Sequence, residues 1–261
     1  MKLKLIVKTA YANIYREPSF SSELVSQALF FEILDVKSLE GDWIEVSQWD
    51  GYRGYTHKFY LSDNFSNQEK NYMILDRCIS MYDSIDFKNI ITVAPFSSQI
   101  SATFFGEGDY FVTNPIEGRT FYFKSDIQLS KNNSRSKVLE YSKKLIGSPY
   151  LWGGKTPFGY DCSGFVQSVL KAVGIDVKRD TSTQINDSRM HSVDMSSAEA
   201  GDLIFFSMEG NEVDHVGIWS GDGSVIHCGG EVKVQSIDDD SHKKLRDSII
   251  AIKSIGELIN E

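Results

Sequence analysis

Residues 153–173 read GGKTPFGYDCSGFVQSVLKAV, and the organisation of the chain turns on them. Glycines and a proline give way to Asp161-Cys162-Ser163-Gly164, and then to Phe165, Val166, Val169, Leu170 and Val173. Spacings of three and four put those apolar residues on one buried helix face. Asp161 is placed to cap that helix, and Gly174 to end it. Cys162 falls in the first turn, where unpaired N–H groups and the helix dipole favour a thiolate. His215 and His227 follow much later, each in a strand-like stretch, Asp214-His215-Val216-Gly217-Ile218 and Val225-Ile226-His227. An ionised cysteine can attack an amide carbonyl, an imidazole can take the thiol proton and return it to the leaving nitrogen, and a third polar group can orient that imidazole. The residues alone leave a second reading open: an inert buried cysteine and two hydrogen-bonded histidines.

Outward from this stretch, the 261 residues are enough for two or three small domains. With 27 basic and 36 acidic residues the net charge is -9, which argues against a nucleic-acid partner and against adhesion to anionic membranes. Cys78, Cys162 and Cys228 are too few for a disulfide framework, and their odd number fits a reducing compartment. Leu3, Leu5, Ile6 and Val7 could form a short export signal, but Lys4 and Lys8 interrupt them, so a first strand and a cytoplasmic setting are expected. No stretch is apolar for long enough to span a bilayer as a helix.

Short strands are predicted at Leu3–Val7, Ala12–Tyr15, Ala28–Val36, Trp43–Val46 and Gly54–Thr56, with turns at Glu40–Asp42 and Asp50-Gly51. Many short strands suggest a small barrel over residues 1–64. Residues 65–133 repeat the pattern more weakly, with strands at Cys78–Tyr82, Ile90–Val93, Tyr110–Thr113 and Arg119–Phe123 and a turn at Glu107–Asp109. Cys78 reads as a buried structural thiol. Lys131-Asn132-Asn133-Ser134 reads as a linker. From residue 134 to 261, a helix over Ser136–Ile146 and the cysteine helix precede strands at Leu203–Phe206, Val216–Trp219, Val225–His227, Val232–Val234 and Ile249–Ile252. Helices first and a sheet afterwards make an α+β domain.

Two other chemistries are disfavoured. Cys162, His215, His227 and Cys228 are ligand types that zinc accepts, yet no short paired spacing is present, and adjacent His227 and Cys228 point to opposite sides of a strand. Gly154-Lys155-Thr156 suggests a phosphate loop, but Pro149 stands where glycine is needed and Pro157 where the helix should begin. No metal and no cofactor are expected.

The segment PYLWGGKTPFGYDCSGFVQ (149–167) resembles the NlpC/P60 cell-wall peptidases, as do RDTSTQ (179–184), GDLIFF (201–206), DHVGIW (214–219) and Ile226-His227. Asn13–Gln27, Gly41–Val46 and Gly51–Tyr55 resemble a bacterial SH3-type domain. The resemblance implies a multidomain chain: an SH3-type barrel (1–64), a divergent second SH3-like barrel (65–133) and a papain-like α+β NlpC/P60 domain (134–261). It implies Cys162 as nucleophile, His215 as base, His227 as orienting residue, and Tyr150 with the Cys162 N–H at the oxyanion. The domain order resembles the γ-D-glutamyl-L-diamino acid endopeptidases of muropeptide recycling, which cut free stem peptides such as L-Ala-γ-D-Glu-L-Lys or its diaminopimelate equivalent and require an unblocked L-alanine. In that subgroup the first SH3-type domain walls the substrate channel. Carried onto this chain, the substrate-binding set is Tyr52, Glu23 with Glu17 as its alternative, Asp161, Asp180 and Thr181. The rival readings are an exported wall hydrolase targeted by its SH3-type domains, a noncatalytic peptide-binding protein, and an acyl transferase.

Overall fold

The computed structural model describes residues 3–66, 71–105, 110–124, 134–210 and 212–259. The expected turn at Glu107–Asp109 and most of the linker, residues 131–133, lie outside them. The chain divides into two compact units, Met1–Ser130 and Lys131–Glu261.

The first unit is built from strands. β1 (Lys4–Val7), β2 (Tyr11–Tyr15), β3 (Leu24–Leu29), β4 (Ile33–Glu40), β5 (Trp43–Ser47), β6 (Arg53–His57) and β7 (Leu61–Ser62) form an antiparallel sheet in the order β3-β2-β6-β5-β4-β1-β7. The alternation of β2, with Ala12 and Ile14 fully buried between half-exposed tyrosines, is the period of two that a one-sided strand requires. A single strand over Ala28–Val36 is not what forms. Phe31 takes φ 69°, Glu32 N–H donates to Leu29 O, and the chain reverses between β3 and β4. The apolar run through Phe30 and Phe31 concealed that turn, because both rings point into a core rather than along a strand.

That core belongs to the second sheet of the same unit. β8 (Asn71–Met73), β9 (Cys78–Tyr82), β10 (Ile90–Pro95), β11 (Gln99–Phe104), β12 (Tyr110–Thr113) and β13 (Tyr122–Lys124) lie in the order β10-β9-β13-β12-β11-β8. Ile6, Phe30 and Phe31 of the first sheet pack with Ile79, Met81, Phe111, Phe121 and Phe123 of the second. The expected boundary at residue 64 therefore falls inside one packed body. The predicted strand at Arg119–Phe123 shrinks to β13, because Arg119 closes a turn on Ile116.

The second unit begins with α1 (Arg135–Lys144), whose Ser134 cap accepts from Lys137 N–H. A two-strand ribbon follows, β14 (Lys155–Thr156) and β15 (Gly159–Tyr160), so Gly154-Lys155-Thr156 enters a strand and not a phosphate loop. Then come α2 (Cys162–Ala172) and the short α3 (Thr181–Gln184). A six-stranded antiparallel sheet completes the unit: β16 (His191–Ser192), β17 (Leu203–Phe206), β18 (His215–Trp219), β19 (Ser224–Gly229), β20 (Glu231–Ser236) and β21 (Ile249–Ser254), in the order β16-β21-β17-β18-β19-β20. The helix α4 (Lys243–Asp247) lies between β20 and β21.

α2 packs against β18, β19 and α1. Phe165, Val166, Val169 and Leu170 are fully buried, and each such side chain contributes about 1.5–3 kcal/mol. Gln167 and Ser168 are buried too, so α2 is covered all round rather than along one stripe. Gln167 Nε2 stays satisfied by donating to Val177 O at 2.9 Å. Ile175 N–H returns to Leu170 O and Gly174 sits at φ 84°, the left-handed stop that glycine makes cheaply. This buried helix fixes the position of Cys162.

Candidate active site

Asp161 holds the start of α2. Its Oδ1 accepts from Gly164 N–H at 2.7 Å, and its Oδ2 accepts from Gly153 N–H at 2.9 Å. Arg179, 2% exposed, closes on both carboxylate oxygens and also donates to Ser163 Oγ at 2.8 Å. The loop before the nucleophile, the helix start and the RDTSTQ segment are thus tied to one carboxylate. Gly164 is required here, since a Cβ would lie 2.2 Å from Gly154 O.

The Cys162 thiol lies 3.8 Å from Thr181 Oγ1 and 4.0 Å from Asp214 O. The strand that begins with His215 therefore starts beside the sulfur. The expected thiolate does not form at rest: burial first, and the Asp161 carboxylate second, push the thiol up, while the Thr181 hydroxyl and nearby N–H groups oppose them more weakly. Desolvation outweighs the helix start because the group is almost wholly enclosed.

His215 Nε2 stands 2.8 Å from His227 Nδ1, and His227 Nε2 stands 3.0 Å from Gln235 Oε1. Burial holds both imidazoles down at about 4, so both are neutral at pH 7. Phe206 packs on the His215 ring at 5.6 Å between centroids. Cys228 turns to the opposite side of β19 from His227 and donates to Tyr160 O at 3.1 Å. Burial pushes its thiol up to about 12.

Tyr150 belongs to the same electrostatic environment. Burial, then the neighbouring Cys162 and Asp161, push its phenol up to about 12, so it remains an O–H donor. Asp180 caps α3 through its backbone rather than its side chain, with its carbonyl accepting from Thr183 and Gln184 N–H. Glu23 and Tyr52 belong to the first unit. Glu23 Oε2 accepts from Arg16 Nε at 2.7 Å, Glu17 N–H donates to Ser22 Oγ, and Tyr52 N–H donates to Asp50 Oδ1 in the hairpin turn between β5 and β6. Asp161, expected to line the substrate site, has both oxygens engaged by the cap and by Arg179.

Sequence reasoning gave no role to Arg179 or Gln235. Arg179 lay in plain view beside Asp180, but its buried partner is 18 residues upstream. Gln235, in Val232-Lys233-Val234-Gln235, reads as the solvent side of an edge strand. Its role depends on which strand lies beside it.

A thiol at the start of a buried helix, with an imidazole pair on an antiparallel sheet beside it, defines a cysteine-peptidase type of centre. Residues 147–250 match the NlpC/P60 family, and residues 14–58 match the bacterial dipeptidyl-peptidase Sh3 domain. The chain thus contains an NlpC/P60 domain, of a cysteine peptidase family, and an SH3-type domain ahead of it in the sequence. It is 29% identical to a gamma-D-glutamyl-L-lysine dipeptidyl-peptidase of Bacillus subtilis, over 84% of this chain and 78% of that one. It is 25% identical to dipeptidyl-peptidase 6 of Lysinibacillus sphaericus, over 98% and 100%. Its fold matches the crystal structure of an NlpC/P60 family protein from Bacillus cereus with a TM-score of 0.80 and 19% identity, covering 95% of this chain and 98% of that one.

Proposed function

We propose that this chain hydrolyses the γ-D-glutamyl-L-diamino acid bond of free peptidoglycan stem peptides that carry an unblocked N-terminal L-alanine. The observation that carries this reading is the joint occurrence of the Cys162, His215 and His227 centre with the SH3-type domain, in a chain aligned along most of its length with relatives named for γ-D-glutamyl-L-lysine cleavage. Cys162 Sγ attacks the γ-carbonyl carbon of D-glutamate as His215 takes the thiol proton. Charge gathers on the carbonyl oxygen, for which the Tyr150 hydroxyl and the Cys162 N–H are the donors. His215 then gives its proton to the amine of the diamino acid as the C–N bond breaks. Water cleaves the thioester and releases L-Ala-D-Glu. His227 orients His215 throughout.

Recognition of a free ammonium needs acceptors, and Glu23, Tyr52, Asp180 and Thr181 are the residues proposed for substrate binding. The role is muropeptide recycling within the cell, a setting consistent with three unpaired cysteines. The test compares L-Ala-γ-D-Glu-L-Lys with its N-acetylated form and follows L-Ala-D-Glu by chromatography. Acetylation removes the charge, and losing one charged hydrogen bond costs about 1.5–3 kcal/mol, or roughly ten- to hundredfold in kcat/KM. Equal kcat/KM for the two peptides, with cleavage of polymeric wall, overturns this substrate reading in favour of a wall hydrolase.

A further inference from the structure

Register brings a residue without an assigned role into the imidazole pair. Gly217 pairs with His227 across β18 and β19, while His227 pairs with Lys233 and Val225 with Gln235 across β19 and β20. His215, His227 and Gln235 therefore share one face, each on the diagonal of the next, within reach of long side chains. The contacts are 2.8 Å from His215 Nε2 to His227 Nδ1, and 3.0 Å from His227 Nε2 to Gln235 Oε1.

The direction of these bonds follows from valence. An amide oxygen only accepts, so His227 Nε2 carries the hydrogen. A neutral imidazole has one N–H, so His227 Nδ1 is left with a lone pair. The bond to it must come from a hydrogen on His215 Nε2. His215 Nδ1 is then bare. Presenting the amide nitrogen of Gln235 instead would reverse each step and leave His215 Nδ1 protonated. Both rings are neutral at pH 7 because burial lowers them to about 4, which keeps the count at one hydrogen per ring. The charged and titratable groups around the pair are Lys233 on β20, Asp214 ahead of His215, and His242 of the turn Asp240–His242, which acts on His227.

We infer that Gln235 is a positioning residue that fixes the tautomer of His227 and, through it, that of His215, leaving His215 Nδ1 free to take the Cys162 proton. The catalytic consequence rests on the proposed thiol hydrolysis, whereas the tautomer assignment does not.

The full chain, labelled with ¹⁵N-histidine, reports tautomers directly at pH 7. Both His215 and His227 are expected to show the hydrogen on Nε2. Gln235→Met keeps the volume and removes the acceptor. It should lose the fixed pattern and lower kcat about ten- to hundredfold, by analogy with the loss when a partner orienting a metal-bound histidine is removed, with KM held. Gln235→Glu keeps an acceptor and adds a negative charge. It should retain the Nε2–H pattern and most of kcat, and move the acid limb of the rate profile to higher pH. A hydrogen on Nδ1 of either ring in the unaltered chain overturns the inference. So does a Q235M chain with unchanged tautomers and kcat, or a Q235E chain as slow as Q235M with an unmoved acid limb. The expected spectrum together with an inert wild-type peptide assay would instead sink the substrate reading and leave the tautomer chain standing. If Q235M does not fold, the wild-type spectrum and Q235E still decide.

Discussion

Cys162 and His215 are both buried as neutral groups. The thiol is raised by burial and the imidazole is lowered by it, so in the proposed reaction the proton would move during attack rather than before. Two results follow. Cys162→Ala should abolish hydrolysis, whereas Cys78→Ala and Cys228→Ala should leave it intact, as measured by peptide turnover with the fold checked by circular dichroism. His215→Ala should cost about 10²–10⁴-fold in kcat, and more than His227→Ala. The acid limb of kcat/KM should fall near pH 4, because the base fails only when His215 is protonated, at about 4. A limb near the ordinary histidine value would contradict the burial argument. Residue types alone suggested the reverse protonation state, since a helix start is visible in a sequence and enclosure is not.

At the scale of elements, the histidine pair depends on one glycine and the cysteine helix on one carboxylate. Gly217 lies opposite His227, and a Cβ there would come within 2.5 Å of Val225 and 2.9 Å of His227 Cβ. Gly217→Ala should displace His227 and cost about 1–3 kcal/mol as overpacking, with a fall in kcat; an unchanged urea midpoint and kcat would disprove the close fit. The Arg179–Asp161 pair joins α2, α3 and the loop before Cys162. Breaking a buried pair typically costs about 3–5 kcal/mol. Arg179→Met should therefore lower the unfolding free energy by that order, read from the urea midpoint and slope, and wild-type stability in R179M would remove the pair from the scaffold. The cap, the helix and its glycine stop were legible from spacing, because each depends on neighbours within four residues. The partner of Asp161 and the diagonal from His227 to Gln235 were not, because the first joins a helix start to a loop 18 residues further on and the second joins two strands through their register, and only tertiary packing decides either.

For the molecule as a whole, the two imidazoles link folding to pH. In the unfolded chain they titrate near the ordinary value, roughly 6.5; in the folded chain they titrate at about 4. Between those values the unfolded chain binds protons that the folded chain refuses. Stability should therefore fall as pH drops from about 6.5 towards 4, and level off below. Comparing urea midpoints at pH 7 and 4.5 in the wild type and in His215→Gln/His227→Gln checks this: the double variant should lose much of the slope, and an equal slope would assign it to carboxylates instead. The SH3-type and second strand-rich segments share a core around Phe30, Phe31 and Phe123, so excising residues 1–64 should expose apolar surface and yield an insoluble remainder. A soluble, monomeric remainder would show that the shared core is dispensable.

The sequence by itself determined the cysteine helix with its Asp161 cap, the strands that carry His215 and His227, the NlpC/P60 character of the second segment and the net charge of -9. These rest on local periodicity, on composition and on fixed motif spacing. Only the tertiary structure decided that Phe30 and Phe31 turn into a second sheet, that Arg179 closes on Asp161, that the Cys162 thiol rests neutral, and that Gln235 ends the chain of imidazole hydrogen bonds. Burial and hydrogen-bond direction are properties of surroundings, and those surroundings are assembled from segments far apart in the chain.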